Sequence, residues 1–149
     1  MSQLIRILSL TLCCLMLTAC DGPFIFMAGG ALSGTISEVP ASWQLDKESA
    51  LAQLETRPDD PYSINLAYVQ LDGEFYFYAG DIRTNWVKHI EQNPHVRIRV
   101  GEMIYPGHAV RVTSDHEISG FADIWVTGSM FQRDPRNFEE VWLYRLEAR

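Results

Sequence analysis

The residues whose types and spacing could do chemistry lie in GDIRTNWVKHIEQNPHVRIRVG, residues 80–101. Gly80, Arg83 and Thr84 stand at the start of a stretch with helical character, and Arg97 and Arg99 follow at alternate positions of a strand-like run. A phosphate or similar anion takes fixed cations, a hydroxyl and backbone N–H donors, and a helix start supplies those donors with a favourable dipole. Gly80 to Thr84 offers a glycine, an arginine, a hydroxyl and such a start. Arg97 and Arg99 reach the same anion if their face lines the groove, with Trp86 or Tyr105 as its wall. Two plainer readings stay open. Arg97 and Arg99 equally suit a solvated strand face paired with acids, and Trp86 equally suits a core position that packs helix on sheet.

Charge favours an anion at this place. The 149-residue chain has a formal net charge of −7, yet from Arg83 to Arg111 the bases Arg83, Lys88, Arg97, Arg99 and Arg111 outweigh Glu91 and Glu102. The acidic remainder argues against nucleic acid as a partner. Other chemistries lack their residues. His89, His95, His108 and His116 form no i, i+4 pair and no metal-binding motif. There is neither a G-x-S-x-G elbow nor a P-loop. Asp115-His116-Glu117 reads as a helix cap and first turn, and no nucleophile or general base stands out.

The elements that must position these residues are short. Ser33–Ser37 reads as a strand, and Asp46–Arg57, rich in Ala, Leu, Glu and Gln with Leu51 and Leu54 on one face, as a helix. Ser63–Gln70 and Phe75–Tyr78 are strand-like and joined by Asp72-Gly73, the pair a type I′ hairpin turn requires. Thr84–Gln92 is helical, with Trp86 and Ile90 on one face, and Asn93-Pro94 ends it. In His95–Val100 the apolar Val96, Ile98 and Val100 alternate with His95, Arg97 and Arg99. Pro106-Gly107 reads as a turn before the strand His108–Thr113, Asp115–Trp125 as a helix, and Val141–Leu146 as the last strand. The sum is a mainly β chain with short helices: a single-domain small β-barrel.

The N-terminus carries an address. Arg6 precedes the apolar run Ile7–Thr18, which has the length of a secretory signal and is short for a membrane span. The run ends in Leu17-Thr18-Ala19-Cys20, which resembles the lipobox of bacterial lipoproteins. That resemblance implies cleavage before Cys20 and its acylation, hence a palmitate-type lipid anchor in the bacterial cell envelope. Asp21 then implies retention at the periplasmic face of the inner membrane. Of the three cysteines, Cys13, Cys14 and Cys20, a mature chain keeps only the lipidated one, which excludes a disulfide framework. The divisions are residues 1–19 as signal peptide, 20–33 as lipidated N-terminus and apolar lead-in, and 34–149 as the barrel domain. Phe24-Ile25-Phe26-Met27-Ala28 follows the anchor at once, so the domain begins close to the bilayer or this stretch dips into its interface.

In order along the chain, LDGEFYFYAG, RTNWVKHIEQNPHVRIRVG, GHAVRVTSD and the terminal VWLYRLEAR resemble the FMN-binding split-barrel superfamily. That group includes pyridoxamine-phosphate oxidase-like proteins and deazaflavin-dependent nitroreductases and quinone reductases. The likeness runs from about Ile64 to Arg149. It implies a split β-barrel, FMN or a deazaflavin as cofactor held by Gly80, Arg83, Thr84, Trp86, Arg97 and Arg99, and reduction of a quinone-like or nitro acceptor. It also implies a homodimer, with Phe75–Tyr78 and Trp142 at the interface. Asp81 departs from the pattern by placing negative charge beside the phosphate, and His89-Ile90 stands where the family has Asn-Leu. A barrel kept for binding or assembly, without catalysis, is therefore the companion reading, and the envelope address favours it because soluble hydride donors are cytoplasmic. Some split-barrel relatives bind haem; His89 or His108 would be the ligand by residue type.

Overall fold

The computed structural model describes residues 22–25, 27–128 and 132–149. The signal-like segment 1–19, Cys20 and Asp21 lie outside them. Among the described residues seven strands and two α-helices follow one another: β1 (Thr35–Ile36), β2 (Ser49–Thr56), β3 (Tyr62–Leu71), β4 (Glu74–Tyr78), α1 (Asn85–Gln92), β5 (His95–Val100), β6 (Met103–Arg111), α2 (Asp115–Trp125) and β7 (Leu143–Glu147). The sheet runs β1-β6-β5-β2-β3-β4-β7, and a further β6–β7 pairing closes β2 to β7 into an antiparallel barrel. β1 adds to β6 in parallel.

Closure depends on β6. Met103 to His108 pairs with β5, and His108 to Arg111 pairs with β7. Pro106-Gly107, expected to be a turn, lies inside this strand. A Cβ on Gly107 would stand 2.5 Å from the Glu147 carbonyl oxygen and 2.8 Å from Leu146 Cδ1, so the missing side chain is what lets β6 bend onto β7. The expected hairpin is present: Asp72 and Gly73 have φ of 52° and 80°.

The helix expected over Asp46–Arg57 is instead β2. Leu51 and Leu54 suggested a helical face, but Leu54 is fully buried while Leu51 is 75 % exposed. The working period is two: Ala52, Leu54 and Thr56 are buried. All eight residues of β2 pair with β3, and Gln53, Leu54 and Glu55 also pair with β5. Two neighbouring strands outweigh a propensity worth tenths of a kcal/mol per residue.

Leu54, Leu66, Phe75, Phe77, Val96, Ile98, Tyr144 and Leu146 belong to the main core cluster. α1 closes one end by burying Trp86, Val87 and Ile90. Trp43 belongs to the same cluster, 4.8 Å from both Phe75 and Tyr105 between ring centres. α2 covers the outside of β4, setting Phe121 against Tyr76 and Tyr78. β4 is therefore buried on both faces, and Phe75–Tyr78 and Trp142 are 0–9 % exposed within one subunit. Within one subunit these side chains pack in the chain's own core.

The lead-in forms a strap. Gly29 pairs with Ser63 of β3, Leu32 bonds to Glu55 of β2 and Arg97 of β5, and β1 joins β6. Gly107→Ala is expected to lower stability by about 2 kcal/mol through overpacking at the corner. Urea unfolding followed by tryptophan fluorescence measures it.

Candidate functional site

The loop before α1 brings Gly80, Arg83 and Thr84 together at one end of the barrel. Gly80 has φ of 81°, which glycine adopts without strain, and its carbonyl accepts from Trp142 N at 3.1 Å. Thr84 is the N-cap of α1, but its side chain makes no cap bond, and Oγ1 has no partner among the described residues. Arg83 Nε donates to Glu91 Oε2 at 2.6 Å, and Asp81 receives Arg133 at 2.7 Å.

The other three predicted residues go elsewhere. Trp86 is buried inside the barrel, 5.8 Å from Phe77 and 5.7 Å from Tyr144 between ring centres. Because Val96 and Ile98 point into the core, Arg97 and Arg99 lie on the outer face of β5. There the register sets Arg97 opposite Glu55 and Arg99 opposite Gln53.

Each outer arginine is occupied. Arg97 Nη1 lies 3.3 Å from Glu55 Oε1, and Nη2 donates to the Leu32 carbonyl at 2.5 Å. Glu55 is only 3 % exposed, and its other oxygen accepts from Leu32 N. The pair thus satisfies both backbone groups of the strap residue above it. Arg99 donates to Gly101 O, Gln53 Oε1 and Glu102 Oε1 at 2.9–3.2 Å.

A second arginine cluster was not singled out from sequence. Arg111 stacks over Trp142, 3.6 Å from the ring centre, and donates twice to the Val141 carbonyl at 3.1 and 2.8 Å. It borders an open cleft of about 530 Å³ with Thr113, Asp115, Ser119, Arg136 and Phe138. Arg136 is itself held by Asp134 and Asp123, at 2.7 and 2.8 Å. The cleft joins the end of β6, the start of α2 and the 3-10 turn Pro135–Asn137, three places that no local sequence pattern links. Asp115 and Glu117 do occupy the expected first turn of α2, capped by Ser114. Glu117 also accepts from Tyr76 Oη and Arg145, and Tyr76 is pushed up to about 12, by burial first and then by Glu117.

The two candidate haem ligands differ in their surroundings. His89 Nδ1 lies 2.9 Å from Thr56 Oγ1, with the ring edge-on to Tyr62. Burial, and then Arg57, hold the His89 imidazole below its ordinary range. His108 pairs across strands with His95, their ring centres 4.4 Å apart. Among the described residues no three metal-ligating side chains cluster.

This geometry can be set beside known proteins. No protein-family model and no curated protein sequence matches the chain. A solved structure does: a Listeria innocua protein described as "Putative Pyridoxamine 5'-phosphate oxidase". It is 14 % identical, with a TM-score of 0.52 over 66 % of this chain and 82 % of its own. The fold is that split barrel. Identity this low speaks for the fold alone, so the site rests on its own chemistry. An FMN phosphate fits poorly at Arg97, which the nearly buried Glu55 and the Leu32 carbonyl already hold; Arg83 and Arg99 pair with the more exposed Glu91 and Glu102.

Glu55→Ala should cost about 3 kcal/mol, because it strands a half-buried guanidinium and a strap amide. Arg83→Ala, which breaks a more exposed pair, should cost less than about 1 kcal/mol. Parallel urea titrations compare the two. A lowered His89 pKa means that the folded chain binds fewer protons than the unfolded one below the usual histidine value. Stability is then full above about pH 6.5 and falls as pH drops through that window. His89→Gln should flatten the change in urea midpoint between about pH 7.5 and about pH 5.5.

Proposed function

We propose that this chain is a bacterial cell-envelope lipoprotein, held by acylated Cys20 at the periplasmic face of the inner membrane, whose split barrel serves binding or assembly without flavin catalysis. The observation that carries the second half is the pairing of Arg83, Arg97 and Arg99 with Glu91, Glu55 and Glu102. A phosphate at Arg97 would displace a nearly buried carboxylate and release the strap. The lipobox-like LTAC and the following Asp21 support the first half.

The competing reading is an FMN- or deazaflavin-dependent oxidoreductase acting on a quinone-like or nitro acceptor, with the cofactor between two subunits. The likeness in fold favours it. In that case the flavin would supply the hydride chemistry, and this chain would hold and orient the ring. Haem binding has less support, since His89 Nδ1 is already taken up by Thr56 and the reading otherwise rests on residue type alone.

Two measurements test the proposal. Cys20→Ser should move the protein from the membrane to the soluble fraction, and acyl mass should be absent from the variant. Protein purified from cells should show neither a flavin nor a Soret band, and added FMN or deazaflavin should leave its spectrum unchanged, with Arg83→Ala identical. A retained flavin lost on Arg83→Ala would overturn the binding-module reading in favour of the reductase.

A further inference from the structure

We infer that Phe24, Ile25, Met27 and Leu51 form a lipid-contacting face that seats the barrel on the membrane beside its anchor; the inference rests on the acylation of Cys20 proposed above. These four side chains are 61–75 % exposed, and among the described residues the other exposed large apolar side chains are Ile36, Ile82 and Val110, in other parts of the fold. They come from distant parts of the sequence, and the fold gathers them. Phe24 and Met27 close a tight turn on each other with bonds of 3.1 and 2.8 Å. Asn65 of β3 pins that turn to the sheet, its Nδ2 donating to the carbonyls of Ile25 at 3.1 Å and Pro23 at 3.5 Å. Asn65 also accepts from Gln53 at 3.2 Å, and it shares a shallow depression with Leu51. The apolar turn is thus fixed to the outer face of β2 and β3, where Leu51 stands.

Two features say what covers this face. The first is reach: only three residues stand between Cys20 and Phe24, so the two are at most roughly 14 Å apart. An acyl chain in the bilayer therefore keeps the turn within the headgroup region, whatever the barrel does. The second is conformation. Ile25 is a β-branched residue held at φ of 51°, a region such side chains rarely adopt. The turn keeps this strained backbone while presenting Ile25 outward, which water does not reward and an acyl boundary does. A short tether and a pinned turn together hold these apolar side chains at the bilayer. α2, on the outside of β4, covers another part of the barrel.

The test uses the full-length protein, purified from bacterial membranes and reconstituted into vesicles of phosphatidylethanolamine and phosphatidylglycerol. Met27→Cys, Leu51→Cys and, as a control on α2, His116→Cys each carry an environment-sensitive fluorophore. All three sites are exposed, so the substitutions leave the core intact. Mass spectrometry of Cys20 is read on the same samples. The expected result is that labels at Met27 and Leu51 lose accessibility to aqueous iodide and are quenched by a lipid-borne nitroxide, while the label at His116 does the reverse. Equal iodide quenching at all three sites, on protein with acylated Cys20, overturns the docking and leaves the anchor standing. Protection from iodide without quenching from the lipid means that copies of the chain cover one another here, and overturns it too. A Cys20 without acyl mass removes the anchor, and the docking falls with it.

Discussion

Everything in this molecule depends on β6 reaching two partners, and that depends on the absence of a side chain at residue 107. The strand pairs with β5 over its first part and with β7 over its last. At the change of partner Gly107 sits against the Glu147 carbonyl and Leu146. With the corner made, the sheet has no free edge along the barrel wall, and its interior must be filled from within and plugged at the ends. Trp86 on α1 and Trp43 before β2 belong to that filling. The aromatic strand β4 then needs cover on its outer side, which α2 supplies.

Charge follows the same economy. Alternation puts Val96 and Ile98 inside, so it must put Arg97 and Arg99 outside, and the antiparallel register delivers Glu55 and Gln53 opposite them. A nearly buried carboxylate beside a guanidinium is stable only when its remaining oxygen is satisfied, and the strap residue Leu32 provides the donor. The basic island is thus largely a set of structural cations. What looked in one dimension like an excess of positive charge is, in three, a series of matched pairs.

Local chemistry was legible in the sequence, and pairings across the fold were not. The Asp72-Gly73 turn, the α1 boundary at Asn93-Pro94 and the alternation of β5 all express short-range rules, and all appear where those rules put them. β2 was misread because Ala, Leu, Glu and Gln favour a helix, whereas strand pairing on both sides decides. Pro106-Gly107 has turn chemistry but serves as a bend within a strand. The choice left open for Trp86 resolves to the core. For Arg97 it resolves to an acid 42 positions earlier in the chain, Glu55, which no local pattern could nominate. The cleft beside Arg111 was invisible for the same reason, since its walls come from β6, α2 and the turn at Pro135.

The strap carries a consequence for synthesis. Leu32 is made early, yet Arg97, the cation beneath it, follows 65 residues later, and the partner that closes β6 comes later still, in β7. Contacts this distant in sequence form slowly, because chain entropy opposes them until both ends exist. A nascent chain emerging N-terminus first therefore holds its leading segment without fixed partners and its barrel open. Such a chain is thin, extended and easily threaded through a narrow channel, and it becomes a rigid body only after β7 has emerged.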